Sequence, residues 1–387
     1  MDERTRLIRD ATRKPGRRRI VNPPIERGTT LLNARARDLR DETLGPTYGI
    51  DGLQAHEALR AALAELEHAE EVFLLPTGLA AVTAAVLALA DTGDEVIVTD
   101  SVYWPTRRFC TGLAGRFGIS ARFAPPRASA GEIMALCGER TRLILMESPG
   151  TVTFEVQDVP AIAAAARERG VRTLVDNTWA AGVFFKPLDH GVDLSVQALS
   201  KYVGGHSDVF AGSIAARDPE IARRARQVVN DMGWYVSPDD AWLALRGLRT
   251  LKVRLAEHQK GALEVAEWLE RQPEVARVLY PALPSSPDHA LWKRDFSGAS
   301  GLMGVELQPG SRQAAEGFLD ALELFGLGYS WGGYESLATY EDPQLKRREH
   351  AEPRSGPLIR LHVGLEAPED LIADLRLGLQ RYASLSN

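Results

Sequence analysis

From Leu53 to Ile214 the chain alternates short apolar runs with longer helical stretches. Few architectures accept that rhythm, because strands buried on both faces read as continuous apolar runs and the helices between them serve as parallel crossovers. The spacing predicts strands at Glu95 to Thr99, Arg142 to Met146 and Arg172 to Val175. It predicts an amphipathic helix over His56 to Glu71, a buried one over Gly78 to Leu89, and another over Val159 to Arg169 that ends at Gly170, a residue suited to the left-handed turn after a helix. Beyond this region Ser237 to Leu269 reads as a long helical connector, and the Pro-rich stretch Tyr280 to Pro287 interrupts the pattern before a last set of strands and helices. The expected organisation is an arm over 1–52, a large α/β domain with a mostly parallel sheet over 53–240, and a connector with a smaller C-terminal α+β domain over 241–387.

Several functional classes are disfavoured at this level. A net charge of -6 lacks the basic excess of a nucleic-acid binder. Cys110 and Cys137 are the only cysteines, with no CxxC or His spacing nearby, so neither a disulfide framework nor zinc is expected; both read as reduced core thiols of a cytoplasmic protein. The longest apolar stretch, Leu79 to Ala90, is interrupted by Thr83 and too short for a bilayer. Met1 to Ile20 mixes acids with many arginines and has no apolar core, unlike a secretory signal. It reads as a solvated helix and linker, or as an arm contacting anions or a neighbouring subunit.

The most informative segment is Ala198-Leu199-Ser200-Lys201-Tyr202-Val203-Gly204-Gly205-His206-Ser207. A lysine that forms a covalent bond to a carbonyl needs a confined site that lowers its pKa, with backbone free to approach the ligand. Alone, the motif equally describes a surface loop. Its weight rises because Asp176 follows the strand Arg172 to Val175, at the carboxyl edge where open α/β sheets bind ligands, and a carboxylate there keeps a pyridine nitrogen protonated. The plainer reading of Asp176 is a turn or capping residue. Pro76-Thr77-Gly78-Leu79-Ala80 is a turn entering a helix, whose free N–H groups suit a phosphate, although many such turns bind nothing. Tyr103 stands just after a strand, placed either to lie on a flat cofactor or to pack in the core. Arg360, alone among apolar neighbours in Leu358 to Val363, needs an acid: a substrate carboxylate or an internal Asp or Glu.

Together these segments resemble the Cys/Met-metabolism family of pyridoxal-phosphate enzymes, with the aspartate-aminotransferase-like fold of the PLP-dependent transferases (fold type I), from about Arg27 to Tyr382. The residues carrying the resemblance are Val175-Asp176-Asn177-Thr178-Trp179-Ala180-Ala181-Gly182, the Lys201 segment through Asp208, and Tyr329-Ser330-Trp331-Gly332-Gly333-Tyr334-Glu335-Ser336. Arg246 to Leu251 and Trp292 to Phe296 add to it. The resemblance implies that Lys201 holds pyridoxal 5'-phosphate covalently and acts in catalysis with Tyr103, that Asp176 pairs with the pyridine nitrogen, and that Tyr103 stacks on the ring. It further implies phosphate contacts from Gly78, Leu79, Ser200 and Tyr48, and substrate contacts from Arg360, Ser330, Trp331 and Tyr48. The Ser-Trp-Gly-Gly-Tyr-Glu-Ser segment favours the branch that breaks a carbon–sulfur bond by β-elimination, with cystathionine giving homocysteine, pyruvate and ammonia in methionine biosynthesis. Trp331 tilts toward that branch; packing against Tyr334 is its duller role.

Two departures stand out. Where the family pattern has Tyr-x-Arg reaching a neighbouring subunit's phosphate site, this chain reads Tyr48-Gly49-Ile50, with Arg27, Arg35 and Arg37 as upstream candidates to replace the guanidinium. Three positions before the lysine stands Ala198 in place of serine, leaving Ser200 as the phosphate hydroxyl. The rivals are cystathionine γ-lyase or γ-synthase chemistry, a cysteine or cystine lyase, and a non-catalytic cofactor-binding protein. The resemblance implies a homotetramer of catalytic dimers. Arg107 and Arg108, beyond Tyr103, read as solvent-facing or as contacts to the distal end of a substrate.

Overall fold

The computed structural model describes residues 2–8 and 20–386. Seven strands form the large sheet: β1 (Glu71–Leu75), β2 (Glu95–Thr99), β3 (Ser120–Ala124), β4 (Thr141–Glu147), β5 (Arg172–Asp176), β6 (Leu194–Ala198) and β7 (Gly212–Ala216). Their order is β1-β7-β6-β5-β4-β2-β3. The pairs from β6 through β3 are parallel, whereas β7 is antiparallel to both β6 and β1. Two reversals cancel, so β1 runs in the same direction as β6. The residues that follow β1, β2, β4, β5 and β6 therefore collect along one edge, the carboxyl edge at which such sheets bind ligands.

The second sheet contains β8 (Val275–Leu279), β9 (Leu302–Leu307), β10 (Gly326–Leu327), β11 (Leu337–Tyr340) and β12 (Leu358–His362), in the order β10-β11-β12-β9-β8. Apart from the parallel β10/β11 pair, its neighbours are antiparallel. One apolar core joins the two sheets: Ile97, Ile144 and Met146 of the first belong to the same buried cluster as Met303, Val305, Ile359 and Leu361 of the second. Continuous apolar contact of this kind holds the sheets in fixed register by burying area that either would expose alone.

The helix Gly78–Leu89 matches the sequence expectation, and Thr77 caps it by accepting from the Ala80 N–H at 3.0 Å. The helix expected over His56 to Glu71 instead spans Gln54–Glu67 and stops at His68, which takes a left-handed conformation (φ 53°). Glu71-Val72-Phe73-Leu74-Leu75 then forms β1, because its β-branched and aromatic side chains pair against β7 and fill the pleated core. The connector is two helices, Pro238–Arg249 and Leu251–Leu269, turning at Thr250. The first packs in a cluster with Tyr202 and Val203, and the second begins in that cluster at Leu251 and Leu255 and ends in the core shared by both sheets. Part of the N-terminal arm is the helix Glu3–Ile8, tied down by Glu3 to Lys186 at 2.7 Å and to Lys252. Residues 9–19 of the arm lie outside the described residues. Cys110 is buried and Cys137 partly buried, both free thiols; burial pushes the Cys110 thiol up to about 12. Among the described residues no helix is long and apolar enough to cross a membrane, and no cluster of His, Cys, Asp and Glu suits a metal ion.

Candidate active site

The strand order β6-β5-β4-β2 sets four side chains in a row. Lys201 follows β6, Asp176 ends β5, Glu147 ends β4 opposite Asp176 in register, and Tyr103 follows β2. Asp176 Oδ1 accepts from the Thr178 N–H at 3.1 Å and from the Thr178 hydroxyl at 2.5 Å. That same hydroxyl accepts from the Ala198 N–H at 2.9 Å, which locks the end of β6 to the end of β5. Glu147 accepts from the Tyr103 N–H at 2.6 Å and from the Thr151 hydroxyl. Burial, then the adjacent Asp176, pushes the Glu147 carboxyl up. The Asp176 carboxyl is likewise raised by burial, against hydrogen bonds from Thr178 and the charge of Lys201.

Lys201 Nζ donates to Ser330 Oγ at 2.7 Å and lies 5.4 Å from the centre of the Trp331 ring. Burial first, then the positive charge of Arg360, lowers its pKa to about 8, while Asp176 works in the opposite direction. The amine is thus nucleophilic at mildly alkaline pH, as a lysine that condenses with a carbonyl requires. Arg360, buried in β12, donates through Nη2 to the Ser330 carbonyl at 3.3 Å and sits 3.5 Å from Glu341. Its internal acid partner is therefore present, and the Glu341 carboxylate is itself held by Thr339 at 2.6 Å and by Gln344.

Gly78 is where a phosphate-binding backbone approach would be built. A Cβ at Gly78 would fall 2.5 Å from Ala198 Cβ, and one at Gly212 would fall 2.4 Å from the Thr77 carbonyl oxygen. Only glycine lets the helix start press onto the ends of β6 and β7. Leu79 occupies the first turn of this helix. The Ser200 hydroxyl is already engaged, accepting from the Ala211 N–H at 3.1 Å and donating to the Ala211 carbonyl at 3.3 Å.

The family's sequence profile, described as Cys/Met metabolism PLP-dependent enzyme, matches residues 4–380. The chain belongs to this family. It is 44% identical to a cystathionine beta-lyase of Bordetella avium over 94% of this chain and 93% of that one. It is 40% identical to the cystathionine beta-lyase MetC of Escherichia coli, over 97% and 98% of the two chains. The crystal structure of metB from Corynebacterium glutamicum superposes with a TM-score of 0.92 at 28% identity, covering 98% of each chain. The fold is accordingly that of the fold type I PLP enzymes.

The residues present fit pyridoxal phosphate. A confined lysine of lowered basicity, a partly buried carboxylate and a glycine-opened helix start share one sheet edge, which matches the cofactor's aldehyde, pyridine nitrogen and phosphate. Tyr103 is anchored through its backbone with its side chain half exposed (47%), open to a flat ligand.

Other family positions stand apart. Tyr48 is half exposed (50%) and pairs with Thr30, with no hydrogen bond or ring contact to Lys201, Asp176 or Tyr103 among the described residues. Of the arginines considered for the phosphate, Arg27 pairs with Asp239 and Arg37 with Asp38 at 3.6 Å, while Arg35 lies exposed. Arg107 corrects the expectation of a solvent-facing side chain. It is 7% exposed, bonded to Asp100 and to Glu349 at 2.8 Å, and stacked 3.6 Å over Phe123, because two acids and a ring compensate its desolvation. Arg108 is exposed. Trp331 packs on Tyr202, with ring centres 5.5 Å apart, and the ring beside Tyr334 is His206. Glu147, Thr178 and His362 were not singled out in the sequence. Glu147 carries the same signal as Asp176, an acid closing an apolar strand, whereas His362 has no local signal at all.

Proposed function

We propose that the chain catalyses β-elimination at a carbon–sulfur bond, with cystathionine converted to homocysteine, pyruvate and ammonia. The observation that carries the reading is a partly buried lysine amine of lowered basicity, acted on in opposite directions by Asp176 and Arg360 and 2.7 Å from Ser330 Oγ. Lys201 would hold pyridoxal phosphate covalently, Asp176 its pyridine nitrogen, Gly78, Leu79 and Ser200 its phosphate, and Tyr103 its ring face. Tyr48 would reach the phosphate and substrate of a neighbouring subunit. When bound, the cofactor supplies an electron sink for the charge left at the α-carbon.

With the substrate amine in its place, Lys201 Nζ is free to act as base. It removes the α-proton, and the same Nζ, now charged, returns a proton to the departing thiolate sulfur. Ser330 steadies that amine between the two transfers. Arg360 and Ser330 take the α-carboxylate, which replaces part of the long 3.5 Å contact to Glu341 with a charge-assisted bond. Trp331 covers the Lys201 amine and keeps water from it. The three-carbon product hydrolyses to pyruvate and ammonia.

Incubation of the purified protein and pyridoxal phosphate with L-cystathionine, quantifying pyruvate, homocysteine, cysteine and 2-oxobutyrate together, tests this. Pyruvate matched by homocysteine is expected. Cysteine with 2-oxobutyrate would move the chain to γ-elimination, and no product would leave the binding-only reading. We further infer a cytoplasmic homotetramer. The free thiols Cys110 and Cys137 and the exposed apolar residues Tyr48, Ile50 and Phe210 support it, and a solution mass measurement tests the assembly.

A further inference from the structure

Ser330 adopts φ +99°, a region that side-chain-bearing residues rarely enter. Such a conformation costs free energy and persists only where its surroundings over-determine it. Its hydroxyl takes the Lys201 amine and its carbonyl takes Arg360, but neither contact fixes the chain that follows. Two residues on, Gly332 (φ +84°) lies against the Lys201 backbone, where a Cβ would fall 2.9 Å from the Lys201 carbonyl carbon. The Gly332 N–H points at His362 Nε2 at 3.0 Å. His362 and Arg360 are alternate residues of β12 and so share one face of the strand. One strand thus grips the loop on both sides of Trp331.

We propose that His362 is a positioning residue: as a fixed hydrogen-bond acceptor for the Gly332 N–H, it holds Ser330 turned onto the Lys201 amine. The proposal rests on the reading of Lys201 as the catalytic base. His362 Nε2 also lies 3.1 Å from the Gly333 carbonyl. The two contacts demand opposite tautomers, and the amide decides between them. Its hydrogen is fixed in the peptide plane with no other acceptor, whereas a carbonyl left short of a partner is the better-tolerated defect. The Gly332 contact thus puts the lone pair on Nε2 and the proton on Nδ1, which faces the neighbouring His258 ring.

The neighbouring ring is complementary. His258 Nδ1 lies 2.9 Å from the Val363 carbonyl and so must donate, which leaves Nε2 as an acceptor. His258 Nε2 and His362 Nδ1 are both buried without a protein partner, on rings whose centres are 5.3 Å apart, one an acceptor and one a donor. The charged and ring groups that act on His362 are His258, Arg360, Lys201 and Tyr202, while the carboxylates of Glu335 and Glu366 lie one step further out, beside Gly333 and His258. Burial first, then His258, Arg360 and Lys201, push His362 down to about 3, so the ring is neutral near pH 7. A ring that never gains a proton does not shuttle one, and its use is geometric.

The experiment compares H362F, which removes the acceptor at similar size, with H362Q, whose amide oxygen reaches the Nε2 position, and H362N, whose amide reaches only Nδ1. Hydrogen exchange of the peptide 329–334 is followed without substrate, and kcat and KM are measured on the holoenzyme. H362F and H362N should speed exchange there by about tenfold and lower kcat by about tenfold with KM within about threefold, while H362Q restores both. In an S330A background, H362F should cost less than about twofold more in kcat. Unchanged exchange, equal losses with and without Ser330, or failure of glutamine where asparagine also fails would overturn the proposal. H362N carries the comparison should H362F not fold. Because exchange is read without turnover, it judges His362 whatever bond the enzyme cleaves.

Discussion

The two walls of the site are built differently. On the large-sheet wall the acids and the helix cap each have a partner close in sequence, Asp176 in Thr178, Glu147 in Thr151 and Thr77 in Ala80, and the longer-range bonds Tyr103 to Glu147 and Ala198 to Thr178 stay within the one sheet. On the wall formed by the second sheet the partners are distant, with Ser330 bonded to Lys201 and Arg360 and Gly332 to His362. The first wall is acidic and the second cationic, and they pull the Lys201 amine in opposite directions. A site of this kind has one face that local chain geometry specifies and one that exists only when two sheets share a core.

The difference breaks most completely at Lys201. In K201A both walls remain but the amine they act on is gone, and turnover should fall by about a thousandfold or more, with loss of the absorbance of covalently held cofactor. Removing the acidic wall's charge in D176N should lower kcat by about a hundredfold while Lys201 still takes up cofactor, measured by steady-state kinetics and absorbance. On the cationic wall R360M should act chiefly on KM, raising it about tenfold to a hundredfold, the worth of a charged hydrogen bond.

These two variants also sharpen the electrostatic contrast. The rate at which the cofactor-free protein takes up pyridoxal phosphate should rise with pH as Lys201 loses its proton, with a midpoint at about 8. R360M should move that midpoint up, because it removes a charge that disfavours the ammonium, and D176N should move it down. Shifts in the same direction would contradict the opposed walls.

The smallest effect belongs to Glu147. Its raised pKa means that the folded chain keeps a proton the unfolded chain releases. Stability is therefore present below the ordinary carboxylate range and is lost as pH rises through the raised value. E147Q removes that loss and should raise the melting temperature at pH 9 relative to wild type, by the equivalent of about 1 kcal/mol, with less gain at pH 6.

Much of the acidic wall was legible in the sequence because its signals are local. Asp176 closes an apolar run, Lys201 is followed by glycines, and Gly78 opens a helix after a strand. Glu147 meets the same strand-end criterion, since it directly follows the apolar run Arg142 to Met146 as Asp176 follows Arg172 to Val175. Arg107 misled for the opposite reason: an arginine on an amphipathic helix is ordinarily solvated, and its partner Glu349 lies 242 residues away. Likewise Glu71 to Leu75 became a strand only because β7 stands beside it to be paired.

The sequence by itself determined the parallel rhythm of the large sheet, the edge on which the lysine and aspartate stand, and the family to which they belong. Those features follow from period, from strand ends and from glycine positions, all of which act within a few residues. The tertiary structure alone decided that Ser330 meets Lys201, that Arg360 already has Glu341, and that His362 grips the loop between them. Such contacts depend on how two sheets pack across one core, and no spacing along the chain encodes that distance.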